Sequence, residues 1–303
     1  MKRIYITMLA LTSVLASCKD NELFEKEMYK NEVALISSSY HNTFQEIVPL
    51  AEAEVTGYIA ASVGGTHAPS KDMVIQLEED QAQLDIYNRS LFDADENLYA
   101  KLLPRDKYEI LDYKIQIKAG ERTGRTRVKL KPAGLSPDST YFIGLKTSDA
   151  TGIDINPKKK TILYQVLIKN AYASQAENTF YSMTGLGNGM VTAGNKKIFP
   201  LTGNSVRVIA GNESFENNID HINKSSIILE VGADNRVEIK PYRDIVVTQI
   251  DDDPRYPNIF KVEESFGRKF NVFLLSYSYV LMVRHGICKK SCESKSSASQ
   301  LLL

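Results

Sequence analysis

Tryptophan is missing altogether from the 303 residues, and cysteine occurs only three times. With so few thiols no disulfide framework holds the chain together, so its stability has to come from a buried core. Neither sign of charge is in excess, with 37 lysines and arginines facing 37 aspartates and glutamates. Nucleic-acid binders carry a basic balance, so nucleic acid is not an expected partner. No apolar run reaches the roughly twenty residues of a membrane-spanning helix. No stretch of roughly 20 to 50 residues repeats, which excludes solenoids and propellers. Gly-x-Ser-x-Gly and His-Glu-x-x-His are absent, and His41, His67 and His221 have no Ser or Asp partner in a nucleophile-type motif. No catalytic residue is therefore expected. The glycine-rich Gly185-Leu186-Gly187-Asn188-Gly189 is followed by neither a Lys-Ser/Thr pair nor a helix pattern. It reads as a connection between strands, and no cofactor is expected.

What is present begins with a leader. Lys2 and Arg3 precede a mostly apolar stretch over residues 4–15, too short to span a bilayer and ordered like a secretion signal. Leu15-Ala16-Ser17-Cys18 matches the bacterial lipobox, in which small residues admit the peptidase and the cysteine thiol receives lipid. Residues 1–17 are thus expected to be removed, with Cys18 the lipidation site and the anchor to a membrane. Without Lys2 and Arg3 the 37 basic side chains become 35, against 37 acidic ones. Each buried methylene of the acyl chains contributes roughly 0.8 kcal/mol, so two or three chains hold permanently. Lys19-Asp20-Asn21-Glu22 resembles the export signal of Bacteroidetes surface lipoproteins, although Asn21 interrupts the acids. That resemblance implies the outer face of the outer membrane. Residues 18–30 form a polar linker, about 40 Å long when extended.

From residue 31 the dominant period is two. Tyr113, Ile115 and Ile117 alternate with lysine and glutamine, and Thr126, Val128 and Leu130 with arginine and lysine. Such strands bury one face and wet the other. Turn chemistry at Ala119-Gly120, Pro132-Ala133-Gly134 and Ser136-Pro137-Asp138 separates them. The first block, 31–170, reads as an antiparallel β-sandwich. An irregular excursion of short helical turns interrupts it between Glu79 and Leu103, through Leu84, Tyr87, Leu91, Leu98 and Leu102. The run from Ile162 to Ile168 reads as its last strand, buried on both faces. The pattern restarts over 171–280 with strands expected at 180–183, 197–201, 205–209, 226–231, 236–241, 245–250, 259–263 and 271–279. That second all-β unit is a sandwich or barrel.

Three stretches in this order carry a resemblance: Tyr99 to Tyr108 with its Leu103-Pro104-Arg105-Asp106, Ile117 to Glu121, and Gly134-Leu135-Ser136-Pro137-Asp138 through Tyr141. They resemble the immunoglobulin-like DUF1735-type domain found behind the lipid anchor of many Bacteroidetes lipoproteins. Asp251 to Phe260 and Phe273-Leu274-Leu275-Ser276-Tyr277-Ser278-Tyr279 resemble the all-β DUF4361-type domain that accompanies it. The resemblance implies a cell-surface protein of a glycan-acquisition system, holding polysaccharide near an outer-membrane transporter complex. It brings no catalytic residue. Residues 281–303 depart from the family pattern and are expected to lie outside the fold, leaving an unpaired sheet edge.

The remaining chemistry is sparse. His285, Cys288 and Cys292 are three soft ligands where a structural zinc site uses four, so no metal is expected, and a disulfide between the two cysteines stays open. Asp251-Asp252-Asp253, with Glu263 and Glu264, lacks the alternating spacing of a calcium loop and reads as a solvated turn. Sugar recognition needs aromatic faces beside amides and charges. The residues that offer this are Tyr242, Arg243, Asp253, Arg255, Tyr256 and Asn258. A non-enzymatic glycan-binding lipoprotein is therefore the leading expectation. A scaffold contacting a partner protein is the alternative, and a glycoside hydrolase, which needs two facing carboxylates, the third.

Overall fold

The computed structural model describes residues 30–187 and 189–281, together with the backbone of a strand at 295–302. Cys18, His285, Cys288 and Cys292 lie outside the described residues. The first unit contains β1 (Glu32–Leu35), β2 (Thr43–Pro49), β3 (Val55–Val63), β4 (Met73–Glu79), β5 (Lys101–Leu102), β6 (Tyr108–Ile110), β7 (Lys114–Ile117), β8 (Thr123–Leu130), β9 (Tyr141–Ala150), β10 (Asp154–Ile155) and β11 (Thr161–Lys169). They form two sheets, ordered β10-β1-β3-β8-β6 and β2-β11-β9-β4-β7, with β5 alongside β9. The alternation read from the sequence is the cause. In β8, Thr126, Val128 and Leu130 are buried while Arg125 and Arg127 are exposed. The inward side chains of both sheets, among them Ile59, Ile75, Val128, Ile143 and Tyr164, meet in one core. This is a β-sandwich.

β11 is covered on both sides. Ile162, Tyr164, Val166 and Ile168 enter the sandwich core. Leu163 points the other way and packs with Phe142, Ala100 and Leu84. Leu84 belongs to a helix, α1 (Ala82–Phe92), within the excursion expected between Glu79 and Leu103. Of the apolar positions expected to pack there, Leu84 is buried, whereas Leu91, Leu98 and Leu102 remain 41 to 44% exposed. The helix is fastened by a polar side chain instead. Asn88, buried, donates to the Ala100 carbonyl at 2.9 Å and accepts from the Ala100 N–H at 2.8 Å, acting as a strand partner for that residue. Tyr164 needs space on the core side. A Cβ at Gly57 would lie 2.1 Å from its hydroxyl oxygen, and that hydroxyl donates to Glu46 at 2.8 Å.

The second unit contains β12 (Phe180–Gly187), β13 (Met190–Pro200), β14 (Ser205–Ile209), β15 (Ser226–Val231), β16 (Val237–Pro241), β17 (Val246–Gln249), β18 (Ile259–Ser265), β19 (Arg268–Val280) and β20 (Lys295–Leu302), with a short helix α2 (Ile219–Ser225) before β15. The order is β16-β15-β14-β13-β12-β20-β19-β17, with β18 on β19. The sheet curls until its ends meet, where Arg236 bridges Ile259 and the Val237 N–H donates to the Asn258 carbonyl at 2.8 Å. Tyr181, Val206, Leu229, Phe273 and Tyr277 fill the interior. Gly185, Leu186 and Gly187 of the glycine-rich segment end β12 and pair with Thr192, Val191 and Met190 of β13.

The expectation of an unpaired edge behind a tail outside the fold is corrected. β20 lies antiparallel between β12 and β19, opposite residues 182–187 on one side and 272–279 on the other. Serine-rich sequence masks this role because strand pairing is a backbone property, and an extended segment between two open edges satisfies both.

The two units are joined without slack. Lys169 ends β11, and the next side chain, Asn170, donates to the carbonyls of Thr202 and Ser205, each at 2.8 Å. Gln175 reaches back to the Pro137 carbonyl at 3.0 Å.

Candidate functional site

β14 presents Val206 and Val208 to the interior of the second unit, so Ser205, Arg207 and Ile209 point outward. All five residues are nevertheless buried. Arg207 is only 1% exposed because the turn before β9 of the first unit covers it. Asp138 of that turn takes the guanidinium with both oxygens, one of them 2.6 Å from Nη2. The fork of arginine fits a carboxylate in this two-point manner.

Arg207 is the centre of a row of rings and cations. Its guanidinium lies 4.5 Å from the Phe199 ring centre and 5.2 Å from that of Tyr242. Arg243 stands 5.5 Å from the Tyr242 ring centre. On the far side, the Lys197 ammonium is 5.1 Å from Phe199 and 5.3 Å from Phe215, whose rings are 5.2 Å apart. Phe199 is buried, Lys197, Phe215 and Tyr242 are half-buried, and Arg243 is exposed. Attraction between each cation and the ring quadrupole holds the row rigid. The result is a shelf at the domain junction, a common place for ligands, with partly open ring surface at Phe215 and Tyr242, the half-buried Lys197 and exposed Arg243 as accessible cations, and Arg207 buried beneath it by Asp138.

Of the sequence-predicted residues, the structure brings Tyr242 and Arg243 into this shelf. The other four lie elsewhere. Tyr242 follows the last residue of β16, whereas Asn258 bonds Val237 at its first, roughly 15 Å away along the strand. Asp253 accepts from the Arg255 N–H at 3.0 Å and faces its Nε at 3.5 Å, while the Tyr256 N–H donates to the Asp253 carbonyl at 3.1 Å. That turn is closed on itself. Asn258, 2% exposed and left-handed at φ 55°, donates to the Ile250 carbonyl and to Asp251 and accepts from the Ser276 N–H at 2.7 Å. Its amide is a structural clamp. Hydrogen bonds from Gln249 and Asn258 hold the Asp251 carboxyl below its ordinary range. Among the described residues no group of three or more His, Cys, Asp and Glu is placed to hold a metal.

Two clusters escaped the sequence. Glu79, Arg105, Tyr108 and Tyr113 gather on the first unit, with the Tyr108 hydroxyl 3.3 Å from Glu79 and Arg105 3.1 Å from the Tyr113 hydroxyl. Burial pushes both phenols above their ordinary pKa. Arg105 and Tyr108 stand within the motif that carries the resemblance, the one signal for them. His41 Nε2 lies 3.3 Å from the Ser90 hydroxyl, but that hydroxyl also donates to the Tyr87 carbonyl at 2.9 Å. A cleft of about 510 Å³ lies in the first unit near the start of β1, lined by Asn31, Ala150, Gly152, Ile153 and Asp154, with no ring among them.

Comparison with known proteins places this architecture. Residues 24–154 match the family model of an N-terminal domain, and residues 160–293 match that of its C-terminal companion. This chain belongs to the two-domain family that these paired models describe. A multidomain protein including DUF1735 from Bacteroides ovatus superposes with a TM-score of 0.65 at 16% identity, over 89% of this chain and 94% of its own. Another Bacteroides ovatus protein, of unknown function, gives 0.66 at 18% identity, over 90% and 94%. An auxiliary nutrient binding protein from Bacteroides thetaiotaomicron gives 0.61 at 12% identity, over 88% and 94%. None of the curated proteins compared matches the chain. At these identities the likeness shows the DUF1735-type fold and leaves ligands to the chemistry of the shelf.

Proposed function

We propose that this protein is a lipid-anchored, non-enzymatic glycan-binding protein of the outer-membrane surface, which presents polysaccharide to a transporter complex. The observation that carries the reading is the shelf of Phe215, Phe199 and Tyr242 with Lys197, Arg207 and Arg243. Ring surface held rigid by cations stacks on the C–H faces of a sugar, and the exposed Arg243 supplies donors for its hydroxyls. The shelf costs little entropy on binding because its rings are already fixed. A fold neighbour described as an auxiliary nutrient binding protein supports the same reading. So does the leader, whose Cys18 supplies the anchor. Among the described residues no helix is long and apolar enough to cross a membrane.

Affinity electrophoresis and calorimetry against a panel of neutral polysaccharides test the binding. Retention by at least one glycan, weakened about tenfold or more in Tyr242→Ala, is expected, given that a stacked ring contributes on the order of 1 kcal/mol or more. Binding that is the same in Tyr242→Ala, or absent across the panel, refutes the assignment. Cys18→Ser should move the protein from the membrane to the soluble fraction, and membrane retention of that variant refutes the anchor.

A further inference from the structure

One face of the first sandwich carries charge of a single sign along a strand. In β8 the buried Thr126, Val128 and Leu130 alternate with Arg125, Arg127 and Lys129, so the three cations stand on the outer side, roughly 7 Å apart. On the neighbouring β3, Ala60 lies opposite Arg125, Tyr58 opposite Arg127 and Thr56 opposite Lys129. The Arg125 guanidinium lies 4.2 Å from the Tyr58 ring centre. Lys129 is engaged by Glu54 at 3.5 Å and Glu109 at 4.0 Å. Arg125 and Arg127 are exposed, and no ion pair joins either to a described residue. Glu54 and Glu109 stand at the Lys129 end of this face, and Glu32, outward on β1 near its other end, is taken by Lys30, so neither arginine is paired.

We propose that Tyr58, Arg125 and Arg127 form a second binding surface, which takes the carboxylate or sulfate groups of an acidic polysaccharide. A guanidinium meets a carboxylate or sulfate with two parallel donors, which an ammonium cannot do. Two such forks on one strand hold two acidic groups of one polymer. The flat outer face of a sheet suits an extended chain, where a pocket would suit a small molecule. Tyr58, with Arg125 over one face of its ring, fixes that arginine and leaves ring edge beside the polymer. Nucleic acid offers similar charge, but bases bind on free aromatic platforms, and here the one ring is partly covered. The surface lies on the other domain from the Tyr242 shelf and stands independently of it.

The test uses the full chain with polygalacturonate, chondroitin sulfate and neutral dextran, at about 50 mM and 200 mM salt. Wild type should bind at least one of the two polyanions, more weakly at the higher salt. Arg125→Ala/Arg127→Ala should weaken that binding about tenfold or more and flatten its salt dependence, with an unchanged melting temperature. Tyr242→Ala should leave it unchanged, which separates this surface from the shelf. Three results overturn the proposal: no polyanion binding at low salt, full binding by the double variant, or equally tight and equally arginine-dependent binding of single-stranded DNA or phosphatidylglycerol vesicles, which would mean that the face reads charge alone.

Discussion

Asp138 and Arg207 make a buried ion pair across two domains, and its two halves should be unequal. Arg207 is 1% exposed and Asp138 15%. Asp138→Ala strands a guanidinium that water cannot reach, and breaking a buried pair in this way costs about 3 to 5 kcal/mol. Arg207→Met removes the better-buried charge and leaves a carboxylate that water can still wet from one side. Its cost is the lost hydrogen bonds and the lost attraction to Phe199 and Tyr242, about 1 to 3 kcal/mol after the apolar stem refills the space. The double variant has no charge left to desolvate, so it should be more stable than Asp138→Ala alone, with a coupling of about 2 kcal/mol or more. Urea unfolding followed by far-ultraviolet circular dichroism and tyrosine emission measures all four proteins, the absence of tryptophan leaving tyrosine as the reporter. Since the pair spans the junction, Asp138→Ala should also split one transition into two. Additive single variants, or a cost for Asp138→Ala below about 1 kcal/mol, would show that the pair is not the clasp.

Three further outcomes follow from particular contacts. Asn88→Ala leaves the buried N–H and carbonyl of Ala100 without the side chain that satisfies them, and should cost about 2 to 4 kcal/mol in the same unfolding assay; a loss under about 0.5 kcal/mol contradicts the clamp. Burial pulls the Lys196 amine down from 10.5 to about 8, against a smaller opposing pull from Glu213. Between those values the unfolded chain binds more protons than the folded one, so this lysine makes stability rise with pH from about 8 towards 10.5. Lys196→Met should remove that rise and stabilise the protein near pH 7 by about 2 kcal/mol, after allowing for the Glu213 carbonyl left without its donor; a wild-type-to-variant difference that stays constant with pH refutes it. Deleting residues 282–303 takes away β20 and frees the facing edges of β12 and β19. Light scattering should then report self-association and amide exchange should quicken in both strands, and a monomer with unchanged exchange would show that β20 does not close the sheet.

The sequence carried the sandwich well because period two is a local property. Residues 205–209 and 226–231 are strands at the expected bounds, since each is a compact apolar run between turn residues. β13 begins at Met190, seven residues earlier than expected, because Met190 to Lys196 contains Ala193, Gly194 and Asn195 and shows no alternation to read. The candidate site was legible only in part. Tyr242 and Arg243 were found as a loop aromatic beside a charge, but nothing singled out Arg207, a charge between two valines of a strand. Its burial comes from Asp138, 69 residues away in another domain, and no local pattern announces that. Asn258 illustrates the converse. An asparagine beside a tyrosine in a loop looks like a ligand contact, yet the left-handed backbone turns its amide inward to hold Ile250 and Ser276.

The parallel ladder between β2 and β11 ties Thr43 to Leu163 and Pro49 to Lys169. A chain emerging from its amino end therefore holds its second strand without a mate until nearly the whole first domain has been made. Contacts of such sequence separation form slowly, and an orphan strand waiting for them invites wrong partners. Asn170 follows at once and grips Thr202 and Ser205. Completion of one domain and docking of the next thus fall within a few dozen residues of synthesis, so a ribosome stalled just short of that point would display the most vulnerable form this polypeptide has.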